Sequence, residues 1–229
     1  MSTRRTVHFI TPKEARLHYG EIIPAYQKAF AGDPWFEVSK CAGCESGFSA
    51  QSPGTVCESC GHKTGEEAYT TEELVDRFDN VGETHPTSWY IERDMLGRLT
   101  LAAIAWSGTL EEIANERYSD NSAMLHWLNN SRPQLQASGL VWLDDIFANR
   151  TNLPKGNLSN FGSMVSGIAL RLHEKNVAYR TIATAMTHVA LRDFGRSAVI
   201  GRARIEVPDR RGGIDSYVDI AIQRIKKGK

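Results

Sequence analysis

The spacing of the four cysteines limits how this chain can fold more than any other feature of its sequence. They form two Cys-x-x-Cys pairs, Cys41 with Cys44 and Cys57 with Cys60, separated by twelve residues. This spacing lets both thiolates of a tight turn point at one ion, and two such turns supply a tetrahedral four-sulfur zinc site. Few large apolar side chains lie nearby, so we predict that residues 38–66 form an insertion held together by zinc.

Two alternatives to a zinc site are a pair of disulfides and four unrelated thiols. The first ten residues contain no apolar stretch of signal-peptide length, so we expect a cytoplasmic protein with reduced thiols. Four sulfur ligands leave no open position for water or substrate, which indicates a structural zinc ion. His62 is the alternative ligand in place of a cysteine, although a solvent-facing histidine is the simpler interpretation.

The composition fits one globular domain spanning residues 1–229. Of the 229 residues 41% are hydrophobic, enough for a core, and no apolar run approaches the roughly 20 residues of a membrane-spanning helix. The net charge is zero, but residues 66–145 carry −10 and residues 146–229 carry +9. We expect the basic part to attract anionic ligands such as cofactor phosphates or nucleic acid. A solvated basic face is the simpler interpretation.

Local patterns predict an α/β chain. Thr11 with Glu14 and Thr70 with Glu73 are capping boxes that begin helices. The segment Val141–Phe147 indicates a buried strand that is apolar on both faces except for two adjacent carboxylates. Further elements are strands at 7–10, 88–92, 98–106, 177–181, 197–207 and 217–225, and helices at 160–176 and 182–194.

Three segments resemble the GCN5-related N-acetyltransferase superfamily. They are Tyr26-Gln-Lys-Ala-Phe-Ala-Gly-Asp-Pro-Trp35, Val141-Trp-Leu-Asp-Asp-Ile-Phe147 and Val177-Ala-Tyr-Arg-Thr181. The first is similar to the first helix and following turn of many members, the second to the central strand, and the third to the strand before the last helix. The resemblance covers nearly all of the chain outside the cysteine insertion. It implies a mixed, mostly antiparallel central sheet flanked by helices.

The resemblance also implies a function, the transfer of an acetyl group from acetyl-CoA to an amine by direct attack in a ternary complex. In this superfamily the central strand splays from its neighbour and pairs with the pantetheine arm, and the next loop and helix start hold the pyrophosphate. The loop departs from the family pattern. When Gly156 is placed on the first glycine of the motif, Leu153 takes the position of a basic or amide residue and Leu158 takes that of a small residue. The cofactor-binding residues implied are Ile146, Phe147, Ala148, Arg150, Lys155, Gly156 and Asn157, with Arg150 and Lys155 supplying charge.

The reaction needs a base for the ammonium and an acid for the departing thiolate. The resemblance implies Asp145 as the base, with Asp144 as the alternative, because adjacent strand residues face opposite sides and only one can reach the cleft. The other interpretation is a structural carboxylate, bonded to backbone amides or to an arginine such as Arg180. Many members carry a tyrosine acid on the last helix. The segment 182–194 has none, and His188 is the candidate there, although it also fits an ordinary surface or core histidine.

Two functions therefore remain open at this level. The first is an acyl-CoA-dependent N-acyltransferase with an unidentified amine acceptor, whose zinc insertion lies beside the acceptor cleft. The second is a non-catalytic module of the same fold that binds a protein or nucleic acid through its zinc insertion and basic C-terminal part. A free-standing zinc-ribbon DNA binder is the weakest interpretation, since the zinc segment is a small fraction of the chain.

Overall fold

The computed structural model describes residues 5–32, 35–44, 47–118, 139–149, 161–182, 199–208 and 214–224. Its strands are β1 (Thr6–Ile10), β2 (Ser39–Lys40), β3 (Phe48–Ser49), β4 (Thr87–Arg93), β5 (Leu99–Gly108), β6 (Leu140–Ala148), β7 (Asn176–Ile182), β8 (Val199–Pro208) and β9 (Ile214–Arg224). Its helices are α1 (Pro12–Arg16), α2 (Tyr19–Ala31), α3 (Thr71–Thr84), α4 (Leu110–Tyr118) and α5 (Phe161–Arg171). Among the described helices, none has the length and apolar character to cross a membrane.

The central sheet has seven strands in the order β1-β4-β5-β6-β7-β9-β8. Every neighbouring pair is antiparallel except β6 with β7, which run parallel. A parallel pair needs a crossover connection, and α5 lies in the chain segment between these two strands. The predicted mixed, mostly antiparallel sheet is confirmed. A second sheet, of β2 and β3 only, lies in the cysteine segment.

Both predicted capping boxes are present at the helix starts. The Thr11 hydroxyl accepts from the Glu14 amide at 3.3 Å, while the Glu14 carboxylate accepts from the Thr11 amide at 2.8 Å. Thr70 and Glu73 repeat the arrangement at 3.2 and 3.1 Å. Each box satisfies amides that the first turn leaves without helical partners, which is why α1 and α3 begin where the sequence indicates.

Hydrophobic cores lie on both faces of the sheet. The larger core joins the sheet to α1–α4 and contains Trp89, Trp106, Tyr26 and Phe78, all essentially inaccessible to solvent. The smaller core packs α5 against the opposite face through side chains that include Met164, Val165 and Ile168. The sheet is thus flanked by helices, as predicted, and β6 contributes side chains to both cores.

The close approach of α5 to β1 makes a direct test of this packing. A β-carbon at Gly167 would lie 2.1 Å from Cζ of Phe9, whose ring packs edge-on against Tyr90 at 5.3 Å. We expect Gly167→Ala to lower the free energy of unfolding by about 1–3 kcal/mol through overpacking. Gly20→Ala in α2 is the matched control: its β-carbon meets nothing within 4 Å, and we expect a gain of about 0.4–1 kcal/mol. Equal stability of the two variants in denaturant titrations would contradict this packing.

Candidate active site and cysteine cluster

The parallel strands β6 and β7 separate halfway along their length. Their register contains three pairs, Val141 with Val177, Trp142 with Ala178 and Leu143 with Tyr179. Beyond Leu143, β6 continues beside β5 as far as Ala148, and β7 continues beside β9 as far as Ile182. Within the described residues, the β6–β7 ladder therefore ends at Leu143, and the sheet divides there into two halves.

A β-bulge lies in β6 at the point of separation. Ile104 of β5 pairs with Asp145 and Ala105 pairs with Leu143, so Asp144 is an extra residue. An extra residue reverses the alternation of side chains along the rest of the strand. Trp142 and Phe147 consequently belong to the same core even though an odd number of positions separates them.

Asp144 and Asp145 both bind one arginine on the α3 side of the sheet. Nη2 of Arg77 lies 2.5 Å from Oδ2 of Asp145 and 3.5 Å from Oδ2 of Asp144. The prediction that these neighbouring carboxylates face opposite sides is wrong, because the bulge turns both toward α3. The side chains of Asp144 and Asp145 are 4% and 10% exposed, and that of Arg77 is 28% exposed.

Arg77 is a site residue that sequence reasoning missed. The sequence suggested Arg180 as an ion-pair partner, but its side chain lies outside the part of the chain described. A signal was available in α3, where the buried residues Leu74, Phe78 and Val81 form an apolar stripe. Arg77 follows Leu74 by three positions and so falls on the same helical stripe, where a charged side chain requires a charged or hydrogen-bonding partner.

The cluster extends to two aromatic side chains. Nη1 of Arg77 donates to the Tyr26 hydroxyl at 2.8 Å, and Nε1 of Trp142 donates to Oδ1 of Asp144 at 3.0 Å. Burial alone would lower the pKa of Arg77, but Asp145, Tyr26 and Asp144 raise it well above its usual value. Burial, and then Asp145, raises the pKa of Tyr26. The tyrosine therefore stays neutral, and one guanidinium faces two carboxylates.

The predicted cofactor-binding residues divide between described and undescribed parts of the chain. Ile146, Phe147 and Ala148 lie on the half of β6 that has left β7. Phe147 is buried and packs against Tyr26 with ring centroids 5.2 Å apart, whereas Ile146 and Ala148 pack toward the α5 side. The other predicted site residues, Arg150, Lys155, Gly156, Asn157 and His188, lie outside the described residues.

The four cysteines converge on one point, as the sequence predicts. Their sulfur atoms all lie within 4.8 Å of one another, with Cys41 to Cys60 at 3.4 Å, Cys44 to Cys57 at 3.5 Å and Cys44 to Cys60 at 3.6 Å. Sulfurs bound tetrahedrally at about 2.3 Å from one zinc ion would be roughly 3.8 Å apart. Disulfide sulfurs would be about 2.0 Å apart, so the geometry fits a single ion and not the two-disulfide alternative.

Tight turns with glycine at positions of positive φ bring the cysteine pairs together. Gly47 and Gly61 have φ of 74° and 75°, a region that side-chain-bearing residues rarely adopt. A hydrogen bond from Ser49, aided by amides of Cys60 and Ser59, lowers the pKa of Cys57 to about 6. Burial raises the pKa of Cys44, so the geometry of the sulfur atoms, and not their pKa values, carries the metal assignment. His62 is exposed and belongs to no described metal-ligand group.

A cavity of about 370 Å³ lies between α2 and the cysteine segment. Tyr69 and the buried Glu37 contribute to its wall, and the Tyr69 hydroxyl donates to the Glu37 carboxylate. Gln27 of α2 reaches across to donate to the backbone oxygen of Tyr69 at 2.8 Å. The residues that flank the cysteine segment are therefore fastened to the helix that supplies Tyr26 to the Arg77 cluster.

No protein-family model matches the sequence, and no curated protein matches it. Solved structures do resemble the fold. An agmatine N-acetyltransferase mutant has a TM-score of 0.54 at 12% identity, with 97% of this chain and 100% of that chain covered. A polyamine N-acetyltransferase of Drosophila melanogaster scores 0.51 at 13% identity, covering 97% and 100%. A ribosomal-protein-S5-alanine acetyltransferase from Vibrio fischeri scores 0.50 at 10% identity, covering 98% and 94%.

Proposed function

From the premise that the chain has the fold of the GCN5-related N-acetyltransferases, we propose that it transfers an acetyl group from acetyl-CoA to an amine. The separation of β6 from β7 after Leu143 is the observation that carries this proposal. Strand edges that have left their neighbour present backbone groups for pairing with another extended chain. The pantetheine arm is such a chain, and the thioester would then lie beside the Asp144–Asp145 bulge.

We assign the cofactor site to the end of β6 and the segment that follows it. The backbone of Ile146, Phe147 and Ala148 would pair with the pantetheine arm. Arg150, Lys155, Gly156 and Asn157 would bind the phosphates, and the start of α5 follows this segment. Amides at a helix start and the positive end of its dipole favour phosphate.

We assign proton removal from the attacking ammonium to Asp145. Its side chain is more exposed than that of Asp144, at 10% against 4%, and Asp144 also accepts the Trp142 hydrogen bond. Asp144 is the alternative base. As the amine nitrogen bonds to the carbonyl carbon, the carbon–sulfur bond breaks, and His188 is the proposed donor of a proton to the departing thiolate.

We propose that the acceptor is a cationic amine. Residues 66–145 carry a net charge of −10, and Asp144 and Asp145 lie where β6 separates from β7, so electrostatic attraction favours a cationic amine there. Agmatine and polyamines, named for two of the similar structures, are amines of this class.

We propose one structural zinc ion, bound by Cys41, Cys44, Cys57 and Cys60. It would hold the segment 38–66 against α2, where residues of the segment and of α2 together line the 370 Å³ cavity. The insertion would thereby shape the space open to the acceptor.

Calorimetric titration with acetyl-CoA tests the proposed function. We expect saturable binding and, at 100 times the dissociation constant, a stabilisation of about 2.7 kcal/mol in thermal unfolding. Agmatine added to this complex should release free thiol, while ADP in place of acetyl-CoA should release none. Absence of both binding and stabilisation would exclude the acetyltransferase and leave the non-catalytic module that binds a protein or nucleic acid.

A further inference from the structure

We infer that Arg77 is a positioning residue that sets the opening between β6 and β7. This inference rests on the proposed function, because it assigns the residue that shapes the thioester-binding slot. Arg77 belongs to α3, and it is joined to β6 through the two carboxylates of the bulge.

Three features of the sheet coincide within three consecutive residues. The β6–β7 ladder ends at Leu143, the bulge follows at Asp144, and the Arg77 ion pairs involve Asp144 and its neighbour Asp145. A bulge bends its strand and increases the local twist. An anchor on the bulge therefore directs that bend, and Arg77 directs it toward α3.

The chemistry of the anchor requires an arginine. Two adjacent carboxylates that are 4% and 10% exposed are costly to desolvate without a partner. One planar guanidinium reaches both of them and still donates to the Tyr26 hydroxyl. A lysine ammonium carries the same charge but is a single point on a flexible stem, so it lacks the rigid fork of donors with which the guanidinium reaches these three partners.

The anchor is itself fixed from two directions. The Arg77 guanidinium carbon lies 5.8 Å from the centroid of the Tyr26 ring, and Tyr26 also packs against Phe147, beyond the bulge. On α3, the neighbouring Phe78 packs edge-on against Trp89 of the central sheet at 4.9 Å. Helices α2 and α3 thus hold the separated half of β6 at both Asp145 and Phe147.

The test compares Arg77→Lys with the wild type and with Arg16→Lys. Arg16 is the matched control, since its guanidinium also bonds two carboxylates, Asp79 and Glu83, but is half exposed, and both of these partners lie on α3 and not on β6. In Arg77→Lys we expect faster hydrogen exchange at amides 144–148 and about tenfold weaker acetyl-CoA binding. We expect kcat/KM to fall by about 10²-fold, as small misplacements of reacting groups cause. Arg16→Lys should match the wild type in amide exchange at 144–148, in acetyl-CoA affinity and in kcat/KM.

A role limited to charge neutralisation predicts a different result. Arg77→Lys keeps the charge, so wild-type exchange at 144–148 together with wild-type acetyl-CoA affinity would overturn the inference. The exchange measurement uses the protein without ligand. If the wild type itself fails to bind acetyl-CoA, the proposed function fails, while exchange at 144–148 still decides whether Arg77 holds the opening.

Discussion

Replacing Cys57 by serine is expected to release the bound zinc and unfold the segment 38–66. A structural zinc site contributes about 10–16 kcal/mol of apparent binding free energy at neutral pH. The segment is otherwise held by hydrogen bonds, by the Lys40–Glu73 ion pair and by the Phe48–Tyr69 ring contact. Its regular structure consists of two strands of two residues each, and both described hydrophobic cores lie outside it. The central sheet should therefore remain folded when the metal is lost.

Metal content and hydrogen exchange measure this outcome. We expect about one zinc ion per wild-type chain purified without chelator, loss of metal in Cys57→Ser, and faster exchange confined to residues 38–66. His62→Ala is the matched control, because His62 lies in the same turn but outside the four-sulfur group; it should keep its metal. Wild-type protein without metal would contradict the zinc assignment, and metal loss in His62→Ala would instead make His62 a ligand.

Replacing Asp145 by asparagine should lower kcat by about 10²–10⁴-fold, the usual contribution of a positioned base. The substitution preserves shape, and the amide oxygen of asparagine can still accept the Arg77 hydrogen bond. It cannot take up the proton of an ammonium. We therefore expect the dissociation constant for acetyl-CoA to stay unchanged, in contrast to Arg77→Lys.

Asp144→Asn is the matched variant for this prediction. It makes the same chemical change one residue away, and the amide oxygen of the new asparagine can still accept the hydrogen bond from Trp142. We expect kcat close to that of the wild type. A larger loss in Asp144→Asn would make Asp144 the base, and equal losses of affinity and turnover in Asp145→Asn would make Asp145 structural. Steady-state kinetics and calorimetry on both variants separate these outcomes.

Much of the secondary structure could be predicted because its determinants are local. The capping boxes at Thr11 and Thr70 each act within four residues, so the sequence shows where α1 and α3 begin. The strand predicted at Val141–Phe147 is observed as Leu140–Ala148. The convergence of the cysteines follows from short spacings in tight turns, and it is observed as predicted.

The geometry of the candidate site could not be predicted in the same way. Alternation along an ideal strand places Asp144 and Asp145 on opposite faces. This prediction holds only when the strand pairs with its neighbour without interruption. Whether an extra residue interrupts the ladder depends on the partner strand β5, which is distant in sequence. The bulge therefore reversed a prediction that was sound for β6 alone.

The sequence by itself determined the four-sulfur cluster, the starts of α1 and α3 and the alternation that builds a two-faced sheet, because each depends on neighbours along the chain. Only the tertiary structure decided that Arg77 holds two carboxylates that are 67 and 68 positions away, and that β6 leaves β7 beside them. Ion pairing and strand pairing depend on distance in space. Residues far apart in the chain come close enough for such pairing only when α3 packs on the sheet.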